Sequence, residues 1–199
     1  MTTKLALALL RAGAVALAAT LASPSLAAPD MTKVIREVFP VAETGFDPAA
    51  AHDLYSATVM QGLFETLYTY DYLARPAKVV PLTADGMPQI ADEGKTWTGK
   101  LKKGIRFVDD PVFGGKPREL TADDYVYSFK RLIDPKIRSP WAFLVENKFV
   151  GLDDLAAKAK EGGKFDYDAK IPGIEAVDRY TIRFRLTATD YNLPYILAH

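Results

Sequence analysis

The side chains able to do chemistry are few and scattered. Two carboxylate doublets stand out, Asp109-Asp110 and Asp123-Asp124. Glycoside hydrolysis would need two carboxylates facing each other across a cleft at a set separation. Adjacent residues rarely point the same way, so neither doublet forms such a pair by itself. Asp123-Asp124 also has a simpler use at a helix N-terminus, where negative charge meets the macrodipole. His52 and His199 fall in no His-Glu-x-x-His spacing. Gly114-Gly115-Lys116 lacks the upstream Gly and the following Ser or Thr of a phosphate loop, and Pro117 removes a donor there. No Ser sits in a Gly-x-Ser-x-Gly elbow. The absence of Cys removes thiol nucleophiles, disulfides and thiolate metal sites. These residues point to no metal centre and no cofactor. A secreted hydrolase using Asp109, Asp110 or Asp124 is the enzymatic alternative they leave open.

The elements that must position any site fit in 199 residues, enough for one domain or a small pair. With 25 Lys and Arg against 25 Asp and Glu, the formal charge is zero, which argues against a nucleic-acid partner. Hydrophobic residues at 49% and charged residues at 25% match an ordinary globular chain.

Residues 1–27 read as a cleavable export signal. Lys4 and Arg11 supply positive charge with no acid, and Ala12 to Ala22 is apolar but too short to span a bilayer. Ser25-Leu26-Ala27 puts small residues at −3 and −1, so cleavage is expected after Ala27. An exported chain without Cys cannot carry a lipid on an N-terminal Cys. The expected location is therefore a Gram-negative periplasm, without a lipid anchor.

Beyond the signal, Val34 to Phe39 is β-rich and predicts a strand ending at Pro40. Gly45-Phe46-Asp47-Pro48 is turn chemistry. Val59, Met60, Leu63, Phe64 and Leu67 recur at helical steps, and Asp53 and Ser56 can both cap that helix. Tyr68, Tyr70 and Tyr72 alternate as on a strand edge. Ala84 to Pro88 reads as short helical or irregular chain. Thr96 to Leu101 reads as a strand, turned by Gly104 and resumed at Ile105-Arg106-Phe107. Asp110 to Lys116 is a loop. Thr121-Ala122-Asp123-Asp124 is a capping box opening a helix with Tyr125, Val126, Phe129, Leu132 and Ile133 on its apolar side. Asp134-Pro135 ends it.

Asp153 to Lys160 has acids first and lysines last, matching a helix dipole, and Gly162-Gly163 stops it. Ile174 to Val177 and Tyr180 to Leu186 read as a hairpin. The second arm places Tyr180, Ile182, Phe184 and Leu186 on one face. Asn192-Leu193-Pro194 starts a helix. The chain then stops at an apolar run, Ile196 to His199, which suggests a truncated record. Strands neither alternate regularly with helices nor segregate, so the fold class expected is α+β.

Five short stretches, in order, resemble the solute-binding proteins of ABC importers, family 5, the oligopeptide/dipeptide-binding class. Phe46-Asp47-Pro48-Ala49 is similar to the family's Leu-Asp-Pro-Ala element. Leu63-Phe64-Glu65-Thr66-Leu67 is similar to Leu-Phe-Glu-Gly-Leu. Thr96 to Phe107 resembles a strand pair written Tyr-Thr-Phe-x-Leu-Arg-x-Gly-Val-x-Phe. Thr121-Ala122-Asp123-Asp124-Tyr125-Val126-Tyr127-Ser128 is close to Thr-Ala-Asp-Asp-Val-x-Tyr-Ser. Asp134-Pro135 and Ser139-Pro140-Trp141 fall where the family has Asp-Pro and Ser-Pro-aromatic. Two departures are visible. Gly99 replaces a strand aromatic, which should weaken packing there, and the loop from Asp109 to Leu120 is longer than usual.

The resemblance implies a partial periplasmic-binding-protein-like fold of class C. Residues 28–64 would be the first segment of a split domain I, and residues 65–199 lobe Ib. The rest of domain I and domain II would be absent. It implies capture without catalysis, in which two lobes close on a small solute of the peptide class. The closed form would then dock on a membrane permease served by ATPase subunits. It implies a monomer at full length. In peptide-binding relatives the ligand pairs through its backbone with the segment after Asp-Pro, here His52-Asp53-Leu54. The aromatic after Ser-Pro lines the pocket, and here it is Trp141. The alternatives are core packing for Trp141, and helix capping and burial for His52 and Leu54. A third reading is a remnant that folds poorly and binds nothing.

Overall fold

The computed structural model describes residues 30–161 and 163–199. The export-signal expectation, residues 1–27, lies outside them, as does Gly162.

Contacts divide the chain between Val38 and Phe39. In the N-terminal unit, the Asp30 carboxylate accepts from the Thr32 N–H, and Asp30 C=O from Lys33 N–H. The strand expected over Val34 to Phe39 does not form. Val34, Ile35 and Val38 are exposed. β-propensity describes fit to a half-buried pleated surface, and no described strand supplies that surface.

The unit from Phe39 to His199 holds the described helices and strands. Helix α1 spans Leu54–Met60. A two-stranded ribbon follows, β1 Tyr68–Tyr70 against β2 Val79–Pro81, antiparallel. A four-stranded antiparallel sheet contains β3 Gln89–Ala91, β4 Thr96–Lys100, β5 Ile174–Asp178 and β6 Thr181–Arg185, in the order β3-β4-β6-β5. Helices α2 Ala122–Ile133, α3 Leu152–Lys160 and α4 Leu193–Ile196 complete the set.

The sheet core follows from period-2 alternation. Trp97 and Gly99 on β4 lie opposite Phe184 and Ile182 on β6, all four buried. Phe129 of α2 closes edge-on over Phe149 and Phe184, with ring centroids 5.5 Å from each. Burying a Phe contributes roughly 1.5–3 kcal/mol, so this triad fixes α2 on the sheet. The expected cap of α2 is present. Asp124 reaches back, and its Oδ2 accepts the Thr121 N–H at 2.7 Å. Asp134 ends α2 with an extended ψ of 117°, as Pro135 requires.

Several expectations need correction. Helix α1 stops at Met60, earlier than the Leu63, Phe64 and Leu67 spacing implied. Leu63 and Phe64 sit past a turn around Gly62 and are exposed, so no apolar face continues the helix. Tyr72 lies outside β1 and is exposed. Ile105 to Phe107 pairs with Arg118 to Leu120 only through an isolated bridge, Arg106 to Glu119, with flanking backbone bonds. Strand β3 had no sequence signal. The Gly99 expectation also changes. A Cβ there would lie 3.6 Å from the Tyr68 hydroxyl, so β1's buried tyrosine occupies the space above the glycine. Turn chemistry between β3 and β4 is left-handed, with positive φ at Asp92, Glu93 and Gly94. At Gly94 a Cβ would come within 3.0 Å of the Tyr191 ring, so the glycine serves both the turn and the packing.

Candidate functional site

The region after the Asp47-Pro48 turn is built by short-range hydrogen bonds. Asp47 Oδ1 accepts the Ala49 N–H at 3.0 Å, and its carbonyl accepts from Ala50 and Ala51. The same carboxylate meets Arg131 of α2 in a two-pronged ion pair. Nη1 donates to Oδ1 at 2.9 Å and Nη2 to Oδ2 at 2.7 Å. That guanidinium holds the Asp47 carboxyl below the usual carboxylate range, and Asp47 raises the Arg131 pKa in turn. Ala49 and Ala51 are buried.

Asp53 is the N-cap of α1. Its extended backbone lets Oδ1 accept the N–H groups of Tyr55 at 3.1 Å and Ser56 at 2.8 Å. Thr44 Oγ1 donates to Oδ2. Hydrogen bonding from Ser56, reinforced by Thr44, holds this carboxyl far below the usual range. Asp53 is therefore committed to the helix as its N-cap.

His52 and Leu54 are exposed, Leu54 at 72%. The capping-and-burial alternative for them does not hold. Neither the N–H nor the C=O of His52 has a hydrogen-bond partner among the described residues. An unpaired backbone unit of this kind is what an extended second chain can pair with.

Trp141 arrives from the other side. The loop after α2 is shaped by the Asp134 carboxylate, which accepts the Lys136 N–H at 2.9 Å and the Tyr167 hydroxyl at 2.7 Å. Arg138 adopts a left-handed φ of 54°, and the Trp141 N–H reaches Ser139 Oγ at 3.2 Å. The Trp141 indole Nε1 then donates to the Ala51 carbonyl at 2.9 Å. Trp141 is half-buried, so simple core packing does not describe it. His199 meets its ring edge-on at 4.8 Å, and the exposed Phe143 lies 6.5 Å away. Of the four expected residues, His52, Asp53 and Leu54 are consecutive, and Trp141 is tied to Ala51, the residue before them. Asp47 and Arg131 support that segment and carried no signal of their pairing across 84 positions.

The carboxylate doublets have structural tasks elsewhere. Asp110 Oδ1 accepts the Val112 N–H at 2.9 Å, capping a short 3-10 turn. Asp124 is shared between the α2 cap and an ion pair with Arg118. Asp109 and Asp123 are exposed. Two shallow depressions of about 620 and 670 Å3 contain none of His52, Asp53, Leu54 and Trp141; Lys100, Lys103, Asp178 and Tyr180 help line the first, and Arg118, Glu119 and Arg179 the second. Among the described residues no group of three His, Asp or Glu gathers as metal ligands would, and no helix is long and apolar enough to cross a membrane.

Residues 78–199 match the family described as "Bacterial extracellular solute-binding proteins, family 5 Middle". The chain is 31% identical over 182 residues to the periplasmic oligopeptide-binding protein OppA of Escherichia coli K12, covering 91% of this chain and 30% of that protein. It is 32% identical over 151 residues to the periplasmic murein peptide-binding protein MppA of the same organism, covering 76% and 24%. The solved structure of Burkholderia pseudomallei OppA superposes with a TM-score of 0.61 at 28% identity, covering 80% of this chain and 28% of that one. The chain spans less than a third of the length of these relatives. The neighbouring structures share the fold, so the mixed helix-and-sheet unit is part of a periplasmic-binding-protein architecture.

Proposed function

The chain belongs to the bacterial extracellular solute-binding proteins, family 5, and from that premise we propose that the whole protein captures short peptides and hands them to a membrane permease. The observation that supports this reading is the open backbone of His52, flanked by exposed Leu54 and tethered beside Trp141. A peptide lying extended along His52-Asp53-Leu54 would gain main-chain hydrogen bonds that do not depend on its sequence. The Trp141 face would add apolar contact that tolerates varied side chains.

In this reading residues 1–27 are a cleaved export signal and the protein works in the periplasm without a lipid anchor. Residues 28–64 form the first segment of domain I and residues 65–199 lobe Ib. The partners are the solute and an inner-membrane ABC permease with its ATPase subunits; the protein is monomeric at full length. No cofactor and no nucleic acid takes part. Relatives named for oligopeptide and murein-peptide binding support the peptide class of solute.

Calorimetric titration of the intact protein with a defined tripeptide pool tests this. Saturable heat with every peptide recovered intact is the expected result. No heat would overturn the peptide part, and cleaved peptides would overturn capture without chemistry.

A further inference from the structure

We propose that Arg131 is a positioning residue for solute capture, one that fixes the Asp47 turn so that His52 presents its backbone beside Trp141. The inference rests on the peptide-capture reading. Two tethers cross to the segment after Phe46. One is the Arg131 fork on Asp47, and the other is the Trp141 indole on the Ala51 carbonyl. Between them run only Pro48, Ala49 and Ala50, with Ala49 buried. Both tethers issue from α2 and the loop that follows it, so the segment is anchored at its start and at the residue before His52.

The chemistry of the first tether is specific. A guanidinium offers planar paired donors that match a carboxylate, and an ammonium cannot reproduce that fork. Arg131 also lies in the last turn of α2, where a cation complements the helix dipole. With the turn held, the cost of ordering the His52 segment is met on folding rather than when solute arrives. Arg131 acts through Asp47 and need not touch the solute.

The test uses the intact protein with Arg131→Met, Arg131→Lys and Asp47→Asn. Asp47→Asn keeps an oxygen for the Ala49 N–H and removes the charge, so it serves if Arg131→Met fails to fold. Amide hydrogen exchange is read at Ala49 to Ala51 and, as an internal reference, across α2 and β6. Tripeptide affinity is read by calorimetry. The inference expects exchange at Ala49 to Ala51, whose amides Asp47 accepts, to rise in Arg131→Met and Asp47→Asn while α2 and β6 keep their rates. Affinity should fall roughly fivefold to tenfold, and Arg131→Lys should recover part of it. Unchanged exchange and affinity would overturn it, as would equal loosening of α2 and β6, which would mark a general structural role. If the unsubstituted protein took up no tripeptide, the capture reading would fall, and with it the functional half of this inference. The exchange contrast would still decide whether Arg131 positions the segment.

Discussion

The indole Nε1 of Trp141 donates to the backbone carbonyl of Ala51, ninety positions earlier in the chain, at 2.9 Å. This bond brings a half-buried aromatic face to the residue that precedes the open backbone of His52. It makes Trp141 both a strut and a surface.

The two roles can be separated. Trp141→Phe keeps an aromatic face and removes the donor, leaving the carbonyl of buried Ala51 unpaired. The expected loss of stability is about 1–3 kcal/mol, read as a shift of the urea midpoint. If stability is unchanged, the bond is not a strut.

Phe184 is 2% exposed and lies under both Phe129 and Phe149. Phe184→Ala should cost about 3–5 kcal/mol, because the rings around it cannot collapse into the space. A cost under about 1 kcal/mol would mean that α2 is not held on the sheet by this triad.

Lys130 is 4% exposed, and its ammonium donates to the carbonyls of Tyr167 at 2.8 Å and Ala169 at 2.7 Å. Burial pushes its pKa down, so the charge is not there for its own sake. Lys130→Met preserves the apolar stem and strips both carbonyls of their donor. A net loss of about 2 kcal/mol is expected. Proteolysis between Phe165 and Lys170 should quicken first. Equal cleavage in the two proteins would show that the loop is held by other means.

Glu119 is held by the Gly104 N–H, with Arg179 and the Tyr180 hydroxyl adding, and its pKa is lowered to about 2 from an ordinary 4.5. A carboxylate depressed on folding stabilises fully above its unfolded value and loses that contribution as pH falls toward the folded one. Wild type should therefore exceed Glu119→Gln in denaturation midpoint above pH 4.5, with the gap closing as pH falls toward about 2. A gap independent of pH would contradict the assignment.

The parts of the fold readable from the chain were those with a local cause. The Thr121 cap, the Asp134-Pro135 stop and the alternation at Ile182, Phe184 and Leu186 each depend on neighbours within a few positions. The failures depended on distant partners. Val34 to Phe39 has strand composition but no described strand to pair with, and α1 ends where its apolar face loses cover at Leu63 and Phe64. The site divides the same way. His52, Asp53, Leu54 and Trp141, the residues proposed to meet solute, came from a resemblance carried by short motifs. Arg131 did not, because its partner Asp47 is 84 positions away and nothing in either motif announces the other.

The most direct test of the account is amide exchange at His52 in the intact protein, with and without a saturating tripeptide pool. The account predicts that this amide, unpaired among the described residues, becomes protected when peptide is present, while the Trp141 indole N–H keeps its bond to Ala51, and that the peptides are recovered uncleaved. Peptide binding that leaves the His52 amide exchanging at its free rate would place the solute elsewhere and contradict the account.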